Sequence, residues 1–287
     1  MNRNPVKRAI AWLRQRPALT LVLVVLVLVL VVLAWRWRLA STRLAVTSTA
    51  GQWTRIPSPL DGTIHALLIN DQRTLYVATN GGVFRSDNGG GRWVPCNHGL
   101  TDRLVQVLAL DPDSPDVLYA CTWNRRVYVS TDAGQSWQVR SRGLPPYEIQ
   151  ALAVHTHDPR RLYAGSRGGV YTTISRGEQW RPAGRFTGTL QCMAMDPDHP
   201  DTLYVGTMAH GIQRSTDGGA TWSSLTTAFT DASSLVILPR SPDTIYALSA
   251  GKVHRTESAG TEWTYVDNWR DHVMARSLAV NPRSSLP

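Results

Sequence analysis

Ser130-Thr131-Asp132-Ala133-Gly134-Gln135-Ser136-Trp137 is the stretch that decides how the rest of this 287-residue chain is read. It returns as Ser215-Thr216-Asp217-Gly218-Gly219-Ala220-Thr221-Trp222. It returns again, with Asn88 at the aspartate position, as Ser86-Asp87-Asn88-Gly89-Gly90-Gly91-Arg92-Trp93. Two divergent copies run from Thr173 to Trp180 and from Thr256 to Trp263, with Ser175 and Ser258 in place of the aspartate. The closing tryptophans, Trp53, Trp93, Trp137, Trp180, Trp222 and Trp263, stand 40 to 44 residues apart. A period of that length marks a repeat architecture in which one supersecondary unit recurs.

Between two such turns the chain reads as short strands. Leu104–Leu110 is an apolar run, and Asp111-Pro112-Asp113-Ser114-Pro115-Asp116 is dense turn chemistry. Val117–Cys121 and Arg126–Val129 are two further β-rich runs, and Trp137 opens a fourth. Helical periodicity is absent from this region. Inside the turn, Ser and Asp oxygens suit backbone amides, Gly134 and Gly219 supply a positive φ, and the tryptophan is large enough to fill the gap between neighbouring sheets. Ser86, Asn88, Trp93, Ser130, Asp132, Gly134, Trp137, Trp180, Ser215, Asp217, Gly219, Trp222 and Trp263 are therefore read as structural rather than catalytic.

The repeated Ser-x-Asp-x-Gly-x-x-Trp turn resembles the Asp-box, or BNR, repeat of sialidases, sortilin-type receptors, xyloglucan-degrading glycosidases and photosystem-assembly propellers. The resemblance covers about residues 44–287. It implies an all-β propeller of four-stranded blades. Five repeats lie between Trp53 and Trp263, and Leu44–Trp53 together with Met274–Arg283 resemble pieces of a sixth blade. About six blades are expected, the last incomplete or closed by both termini; a longer parent with more blades is the alternative.

Residues 18–35 carry no charge, long enough for a transmembrane helix. Arg3, Lys7, Arg8, Arg14 and Arg16 precede the run; Arg36, Arg38 and Arg43 follow it. That bias predicts a cytoplasmic basic tail over 1–17, a signal anchor over 18–37, a linker over 38–43 and an extracytoplasmic propeller over 44–287, with the chain a single-pass membrane protein. A cleaved signal peptide is the rival reading. The first 43 residues hold 8 of the 30 basic residues and no acid, leaving 22 basic against 21 acidic residues in the remainder. The net charge of +9 is thus an effect of the amino-terminal segment, and no nucleic-acid partner is expected. Cys96, Cys121 and Cys192 fall in different repeats; buried free thiols are expected, with one disulfide the alternative, and no cofactor or metal site is implied.

The turn between strands one and two and the box turn are expected on one face. The opposite face would collect Arg103, Trp123, Arg125, Arg126, Arg140, Arg142, Arg167, Arg181, Arg185, His210, Lys252 and Arg270, with Asp102, Glu148, Asp267 and Asp271 as its acids. Trp123, Arg125, Arg126, Arg167, His210 and Lys252 are the candidate ligand-binding residues, since an aromatic beside arginines is the make-up of a hot spot. Aligning the first strands places His65, Gln106, Gln150, Gln191, Ser234 and Arg276 at one equivalent position, a polar ring.

The reading that follows is a membrane-anchored, non-enzymatic binding or scaffold module for a protein or anionic glycan. The alternatives are a glycosidase, sialidase-like or xyloglucanase-like, and an assembly factor for a photosystem-type membrane complex. Thr54-Arg55-Ile56-Pro57 resembles a sialidase motif, but it also falls in register with Trp93-Val94-Pro95 as an ordinary fourth strand. Glycoside hydrolysis needs two carboxylates. On the expected loop face the sequence offers Glu148 and the acids near Asp267, and strand alternation would send Tyr147 and Glu148 apart.

Overall fold

A computed structural model describes residues 56, 63–225, 229–239, 241–266 and 277–279. The chain divides into two units, Met1–Arg55 and Ile56–Pro287, and all described residues belong to the second. They form β-strands joined by turns.

Five repeats follow one another. The first holds β1 (Ile64–Ile69), β2 (Leu75–Thr79), β3 (Gly82–Ser86) and β4 (Val94–Pro95); the second holds β5 (Val105–Leu110), β6 (Leu118–Thr122), β7 (Val127–Ser130) and β8 (Gln138–Val139). The third and fourth share β9 (Ile149–Val154), β10 (Leu162–Thr173), β11 (Arg181–Met195), β12 (Leu203–Thr207), β13 (Ile212–Ser215) and β14 (Ser223–Ser224). The fifth holds β15 (Ser234–Leu238), β16 (Ser241–Ser249), β17 (Lys252–Thr256) and β18 (Thr264–Tyr265). All pairings between these strands are antiparallel, and each sheet is a meander in chain order. β10 doubles back on itself: Thr172 Oγ1 donates to Leu162 O at 3.0 Å, ten residues away, where an extended strand would separate them by about 33 Å. The reversal uses Gly168, at φ 87°. β11 pairs with β10 through its first part and with β12 through its second, so it ends one repeat and begins the next.

The core lies between repeats rather than within any one of them. Strand alternation shows why. In β6, Leu118 and Ala120 pack toward Tyr76, Val105 and Trp137, while Tyr119 and Cys121 pack toward Ile149, Leu162 and Trp180. The third and fourth repeats meet through Tyr163, Val170, Leu190 and Leu203, and the fourth and fifth through Tyr204, Ile212, Leu235 and Ile245. Each repeat thus buries its faces against its neighbours, as stacked repeats must. The three cysteines are free thiols; Cys96 and Cys121 are buried, and burial pushes the Cys192 thiol up to about 12.

The structure corrects the expected architecture. The described residues carry five repeats in four sheets, one of six strands and three of four; none closes into a barrel. They include no sixth blade, and its expected pieces, 44–53 and 274–283, lie outside the described residues save for 277–279. Two repeats run together as one sheet because β11 pairs with β10 through its first part and with β12 through its second, where separate blades were expected. Among the described residues no helix is long and apolar enough to cross a membrane, so the expected single-pass anchor and membrane localisation gain no support. The expected segments 1–17, 18–37 and 38–43 themselves lie outside the described residues.

Candidate functional site

The box turns are built alike. Ser130 Oγ accepts Gly134 N at 2.8 Å and donates to Asp132 Oδ1 at 2.7 Å, and Asp132 Oδ1 accepts Ser136 N at 2.8 Å. Ser86, Asn88, Gly90 and Arg92 repeat the pattern, as do Ser215, Asp217, Gly219 and Thr221. The divergent copies keep it with hydroxyls: Thr173 Oγ1 accepts Gly177 N and Ser175 Oγ accepts Gln179 N, and Thr256 and Ser258 do the same. Serine can stand for aspartate here because the turn asks only for an acceptor. The fourth box residue ties the turn to its own repeat, as in Ala133 N to Asp116 O and Gly218 N to Asp201 O. Box turns and the loops between first and second strands therefore share one end.

Trp137 Nε1 donates to Cys96 O and Trp180 Nε1 to Arg140 O, each in the preceding repeat. Trp222 and Trp263 donate instead to Gly219 and Gly260 of their own boxes, and both are less deeply buried. Hydrogen bonds from the Thr221 hydroxyl and amide, then from Ser215, hold the Asp217 carboxyl down at about 2. Its contribution to stability is present above the unfolded value near 3.8 and is lost as pH falls through about 2. An NMR titration is expected to give Asp217 a midpoint near 2; a midpoint close to 3.8 would contradict the hydrogen-bonded turn.

At the opposite end the hairpins between second and third strands meet the segments that lead into first strands. There a cavity of about 260 Å³ is lined by Arg125, Tyr147, Glu148, Gln150, Arg167 and Thr189, drawn from the second, third and fourth repeats. Gln150 Nε2 donates to Glu148 Oε2 at 3.0 Å, orienting the carboxylate. Tyr147 and Glu148 line the same cavity, contrary to the alternation argument, because both precede β9 and are not strand residues. Tyr147 is 47% exposed and Trp123, in the adjoining hairpin of the second repeat, 50%. Asp102 is held differently: its oxygens accept the amides of Leu104 and Asn124. Burial pushes its pKa up, but the Thr122 side chain together with those amides outweighs it and leaves the carboxyl below the usual range.

Of the sequence candidates, the structure brings Arg125 and Arg167 into one cavity. Arg126 donates to Thr101 Oγ1 at 2.9 Å, His210 packs over Gly188 beside Thr189, and the Lys252 ammonium lies 5.4 Å from the Tyr265 ring in the fifth repeat. Two arginines were misplaced. Arg140 faces the box residue Glu178 at 3.7 Å, and Arg181 lines a cavity beside Asp217 and Gly218, so both belong to the box-bearing end. Gln150 and Thr189 were not singled out as lining residues; the equivalence of Gln150 with Gln106 and Gln191 in the first strands was the available signal.

Comparison with known proteins follows the same pattern. Residues 81–211 match the family model described as Sortilin, neurotensin receptor 3, and residues 213–224 match the BNR/Asp-box repeat. An oligoxyloglucan-reducing end-specific xyloglucanase of Emericella nidulans is 24% identical over 242 residues, 76% of this chain and 26% of that protein. Among solved structures, a GH74 enzyme of Niastella koreensis superposes with a TM-score of 0.59 at 21% identity, covering 71% of this chain and 37% of that one. The GH74 xyloglucanase of Xanthomonas campestris gives 0.57 at 17%, covering 80% and 51%. YCF48 bound to a D1 peptide gives 0.54 at 16%, covering 74% and 69%. The chain spans about a quarter of its curated relative and a third to a half of the GH74 structures. The expectation of a membrane-anchored, non-enzymatic binding or scaffold module is corrected on both counts: no helix among the described residues is long and apolar enough to cross a membrane, and the fold is one that GH74 enzymes use, so the glycosidase alternative is the one carried forward. The chain is a BNR/Asp-box repeat protein related in fold to sortilin and to the GH74 xyloglucanases.

Proposed function

We propose that this chain is a glycan-acting module of glycosidase type, whose sugar site is the loop-end cavity around Tyr147 and Glu148. The observation that carries the reading is an oriented carboxylate beside half-exposed aromatics. Gln150 holds Glu148, Tyr147 is its chain neighbour, and Trp123 stands in the adjoining hairpin. Aromatic faces pack against the C–H faces of pyranose rings, while a carboxylate and arginines take the hydroxyls. Likeness to enzymes that act on xyloglucan supports a polysaccharide substrate.

Hydrolysis asks for a second carboxylate, about 5–5.5 Å from the first in retaining enzymes and about 6.5–9.5 Å in inverting ones. Glu148 supplies one. Asp102 is engaged by backbone amides and does not serve. Among the described residues that line the cavity, Glu148 is the one carboxylate, and Asp267 and Asp271 lie outside the described residues.

The test is titration of the full chain with xyloglucan oligosaccharides, followed by detection of new reducing ends. Saturable binding and cleavage are expected. Tyr147→Ala and Trp123→Ala are each expected to weaken binding about tenfold, as loss of an exposed aromatic anchor does. Absence of both binding and cleavage would contradict the proposal.

A further inference from the structure

The third and fourth repeats meet differently from the second and third, and the difference leaves buried donors without acceptors. Between the second and third repeats, Asp111 accepts the amides of Asp113 and Ser114 through Oδ1, and its Oδ2 faces Arg176, the fourth box residue of the next repeat, at 3.7 Å. At the equivalent place one repeat on, His155 stands for Asp111 and Gly218 for Arg176. His155 Nδ1 accepts the amides of His157 and Asp158, at 3.2 and 3.0 Å. The ring proton therefore sits on Nε2. That nitrogen is buried without a hydrogen-bond partner, 3.7 Å from Asp201 Oδ1. An acceptor and a cation have been exchanged for a donor and an open space.

The space is a cavity of about 340 Å³ on the box-bearing end. Gly218, at φ 67°, opens it: a Cβ there would stand 3.2 Å from Tyr163 Oη. Tyr163 is 1% exposed and lines the cavity, and its hydroxyl lies beside the Arg161 guanidinium without a well-aligned hydrogen bond. Arg161 gives Nη1 to Asp201 Oδ1 at 2.8 Å, leaving its buried Nε without an acceptor. Arg181 lines the same cavity, exposed and without an ion pair among the described residues. The acids present are already committed. Asp201 takes Arg161, and Asp217 Oδ1 and Oδ2 take the donors of its own box. Ile174, Pro182 and Ala220 provide an apolar wall.

We infer that this cavity binds the oxyanion group of a small ligand, a phosphate, sulfate or carboxylate, between Arg161, Tyr163 and Arg181. An oxyanion offers only acceptors, which suits the Arg161 Nε, the Tyr163 hydroxyl and the Arg181 guanidinium, donors that the acids at this end leave unmatched. The site is separate from the glycan cavity and does not depend on it.

The test is calorimetric titration of the full chain with inorganic phosphate and, separately, with acetate, against sodium chloride of equal ionic strength. Saturable binding in at least one arm is expected; phosphate alone assigns a tetrahedral dianion, and acetate assigns a carboxylate. Tyr163→Phe is expected to weaken that binding about tenfold, with little loss of thermal stability in the anion-free protein, because the hydroxyl it removes makes only a poorly aligned contact with Arg161. A hydroxyl with a purely structural role would instead lower anion-free stability. Gly218→Arg is expected to abolish binding by filling the cavity. The third repeat carries Arg176 at this position with φ 53°, so the backbone accepts that residue. No saturable binding in either arm, or binding unchanged in both variants, would overturn the inference.

Discussion

Replacing Trp180 with alanine is expected to lower the free energy of unfolding by about 3–5 kcal/mol. Trp180 is 2% exposed and packs with Tyr119, Cys121, Ile149 and Leu162, so its ring fills the space between the second and third repeats. Its Nε1 donates to Arg140 O at 2.8 Å and its amide donates to Arg142 O, which ties the third repeat to the end of the second. Removing the ring opens a cavity that the surrounding β-sheets cannot collapse into without breaking their own ladders. Trp180→Phe keeps most of the volume and loses chiefly the indole hydrogen bond, an expected cost of about 1 kcal/mol. Trp263, less buried and bonded to Gly260 of its own box, is expected to lose less than Trp180 on the same change to alanine. Urea denaturation of the three variants checks the order. A loss below about 1 kcal/mol for Trp180→Ala would contradict the view that the core lies between repeats.

Glu148→Gln is expected to reduce oligosaccharide cleavage by about 10²–10⁴-fold, the range over which a positioned acid or base contributes. The substitution keeps the shape of the side chain and its place in the cavity, and Gln150 can still hydrogen-bond the amide oxygen. Oligosaccharide affinity is therefore expected to change little while turnover falls. Initial rates at saturating substrate, set beside a binding titration, separate the two effects. Equal turnover by the variant would remove Glu148 from the chemistry; a parallel loss of binding and turnover would make it a binding residue.

The repeat was legible because the box turn is local. Ser130, Asp132, Gly134 and Trp137 sit within eight residues, and the side-chain hydrogen bonds of Ser130 and Asp132 close within the same span, while the Trp137 indole and amide reach Cys96 O and His98 O. The paired Leu-Tyr positions of the second strands, such as Leu118-Tyr119 and Leu203-Tyr204, carry the core in the same way. What was not legible depends on more than one repeat at a time. Tyr147 and Glu148 looked like strand neighbours pointing apart, but β9 begins only at Ile149. Arg140 and Arg181 were assigned to the wrong end because fourth strands are short: β8 has two residues, and Arg140 already lies past it, level with the next box. The continuous β11, which merges two repeats into one sheet, had no marker in the residue pattern. The exchange of Asp111 and Arg176 for His155 and Gly218 is visible when repeats are aligned, but its meaning needs the geometry, since Tyr163 and Arg161 must be seen to lack acceptors.

The most direct test of the glycan site is a crystal structure of the chain soaked with a xyloglucan-derived oligosaccharide. The account predicts a sugar ring against Tyr147 or Trp123, with a hydroxyl or glycosidic oxygen within hydrogen-bond distance of Glu148 and a guanidinium of Arg125 or Arg167 at its edge. A sugar bound elsewhere on the surface, with this cavity empty at saturating concentration, would contradict it.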